Sequence, residues 1–215
     1  MSLTLSESAK ATERQLPEAG STMGVLVGLV DLGCQETNWD NEKKFSPKVR
    51  LTFELPDQLI DGEVTENGKT TKVTKPMMVS LELTRSLGER ATLRKHLESW
   101  RGAAFTSKEL ASFTLKNLLG KAALLTLMHK TSVAGRQYCA VNAISKLPKG
   151  MTAPKESVNS HMFYEIESME NDVFESMPEW LQDKVRASKE FLMKSGKPAA
   201  AKSSDTDGDD NQVPF

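Results

Sequence analysis

Two stretches of this chain, Val49-Arg-Leu-Thr-Phe-Glu-Leu55 and Met77-Met-Val-Ser-Leu-Glu-Leu-Thr84, alternate apolar and polar side chains. A repeat of two is the mark of a strand with one buried face, and no helix satisfies it. Pro56 ends the first stretch, whose outward face carries Arg50, Thr52 and Glu54. Upstream, Met23 to Gly33 is rich in β-branched and aliphatic residues but is broken by Gly24, Gly28 and Gly33. That is too much glycine for a helix and suits a bent or bulged strand. The chain is therefore expected to build a tightly curved sheet. Two more strands are expected at Ala122 to Lys130 and Gln137 to Lys146, joined as a hairpin through residues 131–136. Between the second and third strands, Asp57 to Lys75 is polar with Asp61-Gly62 and Asn67-Gly68 turn signals, and reads as a long loop or a hairpin.

A helix separates the third strand from the fourth. Leu93, Leu97, Trp100 and Ala104 fall on one stripe, with Arg90, Arg94, Lys95, Glu98 and Arg101 largely off it. Thr106 to Glu109 has the Ser/Thr-x-x-Glu form of a capping box and opens a second short helix that ends near Gly120. Three strands, a helical insertion and two strands make the element order of an OB-fold, a mainly β, five-stranded, partly open barrel. An SH3-like barrel or a small α+β sheet shares much of that order.

Around the expected barrel of residues 21–150 lie three appendages. Residues 1–20 carry no apolar period and read as a flexible arm. Residues 151–195 are an acidic segment leading into a docked helix from Pro178 to Met193, with Leu181, Val185, Ser188 and Leu192 on its apolar face, joined by Trp180 and Phe191, and Gly196 as its C-cap. Residues 196–215 are too small and polar to bury a core and read as a disordered acidic tail. The net charge of −1 hides this division: Met23 to Gly150 has 19 Lys/Arg against 13 Asp/Glu, whereas 151–194 has 5 against 9 and 203–215 has 0 against 4. A basic body with an acidic end suits a polyanion on the body and a different partner at the end.

Several classes recede. There is no apolar run long enough for a membrane helix and no secretory pattern, so a cytoplasmic protein is expected. Cys34 and Cys139 sit in strand-like stretches without a CxxC or Cys/His partner, and neither a metal nor another cofactor is expected. His96, His129 and His161 are scattered, and neither a phosphate loop nor a serine elbow occurs, so a non-enzyme is expected. A metal-dependent nuclease built on dispersed carboxylates such as Asp31 and Glu54 is the enzymatic alternative. An adaptor whose barrel binds protein is the other.

If the polyanion on a basic OB-type body is a nucleic-acid strand, it needs a cationic track for phosphates and aromatic faces for bases. Trp39, Lys43, Lys44, Phe45, Lys48 and Arg50 are the candidates at the first loop and into the second strand. Lys69, Lys72 and Lys75 lie in the next connection, and Lys130, Arg136 and Tyr138 flank the last hairpin. Phe53, Trp100 and Phe105 sit on apolar faces and are assigned to the core.

The chain closes Asp205-Thr-Asp-Gly-Asp-Asp-Asn-Gln-Val-Pro-Phe215. This resembles the tail of bacterial single-stranded DNA-binding proteins, in which several Asp precede an aliphatic residue, Pro and Phe; phage single-stranded DNA-binding proteins with related tails are similar. The family commonly has further acid where this chain has Asn211 and Gln212. The resemblance implies that Val213, Pro214 and Phe215 enter a pocket on a replication, recombination or repair enzyme, with Asp209 and Asp210 against its basic rim. The middle of the chain, in Leu93 to Gly102, Phe105-Thr106, Leu118 to Lys121 and Leu147 to Gly150, is similar to a family of phage early proteins. The expected partners are thus single-stranded DNA and replication or recombination proteins, with no membrane, and a homo-oligomer is left open.

Overall fold

The first strand decides the shape of the sheet. In the computed structural model, which describes residues 15–39, 42–66, 69–168 and 171–195, β1 runs Gly20–Trp39 with register shifts between Leu26 and Gly28 and between Asp31 and Gly33. Bulges bend a strand and raise its twist. The bend lets β1 serve several partners: its start pairs antiparallel with β4 (Ala122–Thr131), from Gly20 opposite Leu127 to Val25 opposite Ala122. Its later part pairs with β2 (Glu42–Glu66), from Val25 opposite Glu54 to Trp39 opposite Glu42. β3 (Lys69–Thr84) lies along β2, and β5 (Gln137–Ser145) along β4. The order is β3-β2-β1-β4-β5, antiparallel throughout, with a short β6 (Met162–Tyr164) added parallel to Gly28–Val30 of β1. The fold is mainly β. The path is an open sheet: its two ends, β3 and β5, approach each other, yet no ladder joins them among the described residues.

The strands are far longer than the alternating stretches that announced them. β1 and β2 continue as a paired arm to residues 39 and 42, where a loop is expected from the sequence, and β2 and β3 continue as a second arm from Leu59 opposite Pro76 to Glu66 opposite Lys69. The polar stretch 57–75 is therefore a hairpin rather than a loop. Ile60 at its base packs against the main core, while Asp61, Gly62 and the described residues from Thr70 to Lys75 are exposed apart from a half-buried Val73, so it shows no one-sided apolar alternation.

Inside the curve lies the main core: Leu26, Leu29, Leu51, Phe53, Val79, Leu81, Leu125 and Ile144 among others. α1 (Thr92–Arg101) closes one end, burying Leu93, Leu97 and Trp100 as its stripe requires, while Ala104 lies beyond the helix and is exposed. Trp100 packs on Phe53 with ring centroids 5.6 Å apart and donates its indole N–H to the Ala122 carbonyl at 2.8 Å. Phe53, Trp100 and Phe105 are all core residues. The capping box forms at α2 (Ser107–Ser112): Thr106 accepts from the Glu109 N–H, and Glu109 accepts from the Thr106 N–H. A 3-10 turn at Leu115–Leu118 leads into β4.

A second core lies on the outside of β1. Val30 and Leu32 pack with Tyr164 and Ile166 and with the C-terminal helices through Met177, Leu181 and Val185. These helices are α3 (Asn171–Ser176), α4 (Glu179–Arg186) and α5 (Lys189–Ser195). The single helix expected from Pro178 to Met193 is thus two. Ser188 breaks it: its hydroxyl donates to the Val185 carbonyl at 2.6 Å and accepts from the Phe191 N–H at 3.3 Å, a local bond that competes with helix continuation. Gly196 lies outside the described residues. No described helix is long and apolar enough to cross a membrane.

Candidate nucleic-acid interface

β2 organises the candidate residues, because it feeds an arm at each end. On the first arm, Lys43, Lys44 and Phe45 belong to a paired strand rather than a loop, opposite Asn38, Thr37 and Glu36. All three are exposed, Phe45 by 52%. Lys43 makes an ion pair with Glu36 at 2.6 Å. Such an exposed pair exchanges readily for a phosphate. Lys48 donates to the Thr84 hydroxyl at 3.3 Å. Trp39 ends β1, and its side chain lies outside what is described.

Arg50 is differently placed. Its guanidinium pairs with Glu82 at 3.0 Å and lies 4.7 Å from the ring centroid of Trp180 on α4. Lys184 joins the same carboxylate at 2.5 Å. Burial pulls the Arg50 pKa down, with Glu82 opposing it. Arg50 therefore anchors α4 to the sheet, and any phosphate it met would have to compete with Glu82.

The remaining candidates are at the other end of β2. Lys72 and Lys75 lie on the β2–β3 arm opposite Glu63 and Ile60, both exposed. Lys69 starts β3 opposite Glu66, and its side chain also lies outside what is described. Lys130 and Tyr138 face each other across β4 and β5, with Arg136 in the exposed turn between. This hairpin tip shares its end of the sheet with the β2–β3 arm: the Glu18 N–H donates to Gln58 at 2.7 Å, and the His129 ring bonds the Pro17 carbonyl at 2.7 Å. Along β2, the 15 residues from Lys48 to Glu63, the partner of Lys72, would span about 50 Å if straight. The candidates thus form two groups, one toward each end of β2. Asp209, Asp210, Val213, Pro214 and Phe215 lie outside the described residues.

The carboxylates of the nuclease alternative do not converge. Glu54, only 1% exposed, accepts the backbone N–H groups of Val158 and Asn159 at 3.0 and 2.7 Å and the Asn159 amide at 2.7 Å, tying the segment before β6 onto the sheet. Asp31 accepts from the Gly33 N–H at 3.0 Å and pairs with Arg85 at 2.9 Å. Burial raises the Asp31 pKa despite both contacts. Among the described residues no group of three or more His, Cys, Asp or Glu could hold a metal ion.

Three residues near the first arm were not candidates from sequence: Trp180, Lys184 and Lys189. Trp180 was expected on the buried face of the last helix, yet it is 50% exposed, while Leu181 and Val185 turn inward. Lys189 holds its ammonium 5.9 Å from the ring centroid of Phe45. The signal was present as Trp180 and Lys184 at i and i+4, a spacing that shares one helix face. A comparison with protein-family models finds no match, and one with curated proteins finds none either.

Proposed function

We propose that this chain binds single-stranded DNA with little sequence preference on an OB-type barrel, and recruits replication or recombination enzymes through the acidic segment ending Val213-Pro-Phe215. The observation that carries the reading is the sheet. A bulged first strand pairs with both β2 and β4, the order is β3-β2-β1-β4-β5, α1 lies between β3 and β4, and the two edge strands converge. These features support the reading of a five-stranded, partly open barrel, a fold whose strand 2–3 face and flanking loops suit oligonucleotides. Exposed lysines on arms at both ends of β2, with Phe45 among them, supply cations and an aromatic face. Replacing Lys43 and Lys44 by Ala, or Lys72 and Lys75 by Ala, is expected to weaken oligo(dT) binding and to lower the salt slope by about 1.4 for two lost phosphate contacts. Titration of fluorescent oligo(dT) measures both, and slopes unchanged in both double variants would remove the arms from the path. Deleting residues 205–215 should abolish capture of the partner enzyme and tighten DNA binding at low salt, since four carboxylates then no longer compete for the basic surface.

A second reading, a protein-binding adaptor, is favoured by one observation. On the outward face of β2 and β3, beside Glu54 bonded to Val158 and Asn159 and Glu82 bonded to Lys184, Met78 is 54% exposed, an apolar side chain that suits a protein partner better than a phosphate. The same oligo(dT) titration separates the two readings.

A further inference from the structure

We infer that the single-strand path leaves the sheet for the C-terminal helices, with Trp180 as a base-stacking platform and Lys189 as a phosphate contact on the next helix; this rests on the single-strand-binding reading above. α4 buries Leu181 and Val185 yet leaves half of Trp180, its largest side chain, open to solvent. A stability role alone would have turned that ring inward, since an aromatic side chain is the largest apolar area a helix can bury. The ring is held, not loose. Arg50 lies 4.7 Å from its centroid, and Arg50 is itself fixed by Glu82, which also takes Lys184. A platform positioned in this way loses little conformational freedom when a base stacks on it. Two cations on one carboxylate also leave a residual positive charge beside the ring.

α5 extends the same surface to the first arm. Lys189 reaches 5.9 Å from Phe45, the other half-exposed aromatic among the described residues, and Phe45 lies five residues from Arg50 on β2. At 3.3 Å per residue the two positions are about 17 Å apart. Lys48 lies between them. Five residues apart in a regularly paired stretch, Phe45 and Arg50 leave opposite faces of β2, so the surface beside Trp180 is the face of Arg50 and Lys48, and Lys189 lies toward the Phe45 edge; an aromatic ring with cations beside it is the pairing of features on which sequence-tolerant single-strand binding depends. Residues 151–194 are acidic as a whole, with 9 Asp/Glu against 5 Lys/Arg. Even so, Lys184 and Lys189 are the cations they turn toward the sheet. Of the acids nearby on α4, Asp183 is occupied by Arg186 at 2.8 Å.

The test is anisotropy of labelled oligo(dT) with the wild-type chain, Trp180→Ala, Trp180→Phe and Lys189→Ala, with intrinsic tryptophan emission followed in parallel. Trp180→Ala is expected to weaken binding about ten-fold or more, and Trp180→Phe, which keeps a ring, to stay within about three-fold of wild type. Quenching of tryptophan emission by oligo(dT) should be much reduced in Trp180→Phe. Lys189→Ala should lower the salt slope by about 0.7. Wild-type binding that Trp180→Ala matches, with undiminished quenching, overturns the inference and leaves the barrel reading intact. A loss in Trp180→Ala that Trp180→Phe does not rescue overturns the stacking role. A wild-type chain that does not bind oligo(dT) overturns both readings together.

Discussion

Asp31 and Glu54 look alike in sequence, each an acid inside an apolar strand, and the structure gives them different partners. Asp31 has its pKa raised by burial, so the folded state holds the proton more tightly than the unfolded chain does. Its contribution to stability is therefore fully present below the ordinary aspartate value of 3.8 and is lost as pH rises through the raised folded value. Asp31→Asn removes that titration, and the variant should gain stability relative to wild type between pH 4 and pH 7. Denaturant unfolding at the two pH values measures it, and a gap that stays constant would contradict the assignment. Glu54 instead accepts three hydrogen bonds from Val158 and Asn159. Glu54→Ala leaves those donors without their partner and should cost about 3 kcal/mol in the same assay. A change below about 0.5 kcal/mol, typical of a surface site, would mean that the segment is held by other contacts.

At the level of the element, the bulge at Gly33 shows how β1 and the C-terminal helices were fitted to each other. Gly33 adopts φ +67°, and a Cβ there would lie 2.7 Å from Ile166, Ser188 and Glu190. Gly135 has φ +77° with nothing within 4 Å. Gly135→Ala should therefore cost only the backbone strain, about 1 kcal/mol, whereas Gly33→Ala adds a clash with α5 and should cost at least 2 kcal/mol more. Thermal melts of the two variants compare them directly, and equal losses would show that α5 yields without cost. The glycines of β1 predicted a bend, and the bend is there. What the sequence hid follows from burial: among the described residues, the arms beyond residue 34 and residue 57 are mostly exposed or half-buried, so they carry no one-sided apolar pattern. β6 is too short to show a period, and the break at Ser188 depends on a hydroxyl bond that an amphipathic stripe continuing through Leu192 does not disclose. Strands facing the core, by contrast, were readable to within a residue or so, as at Ala122–Thr131 and Gln137–Ser145.

Across the whole molecule, one curved sheet carries a core on its concave side and a helical module on the outside of β1. The module changes what the strand 2–3 face can do: Arg50, a candidate for phosphate contact, also pins α4 through Glu82 and Trp180. The candidate site was legible as a list of cations and aromatics, because residue type shows in sequence. Its division into two ends of β2 was not, since that follows from the length of the arms. Single-strand binding is tested most directly by one measurement, the affinity for oligo(dT) and for a duplex of equal length across a salt series. The proposed function predicts preference for the single strand and an affinity that falls linearly on logarithmic axes with salt, at about 0.7 of slope per phosphate neutralised. Equal affinity for the duplex, or single-strand binding that salt leaves unchanged, would contradict it.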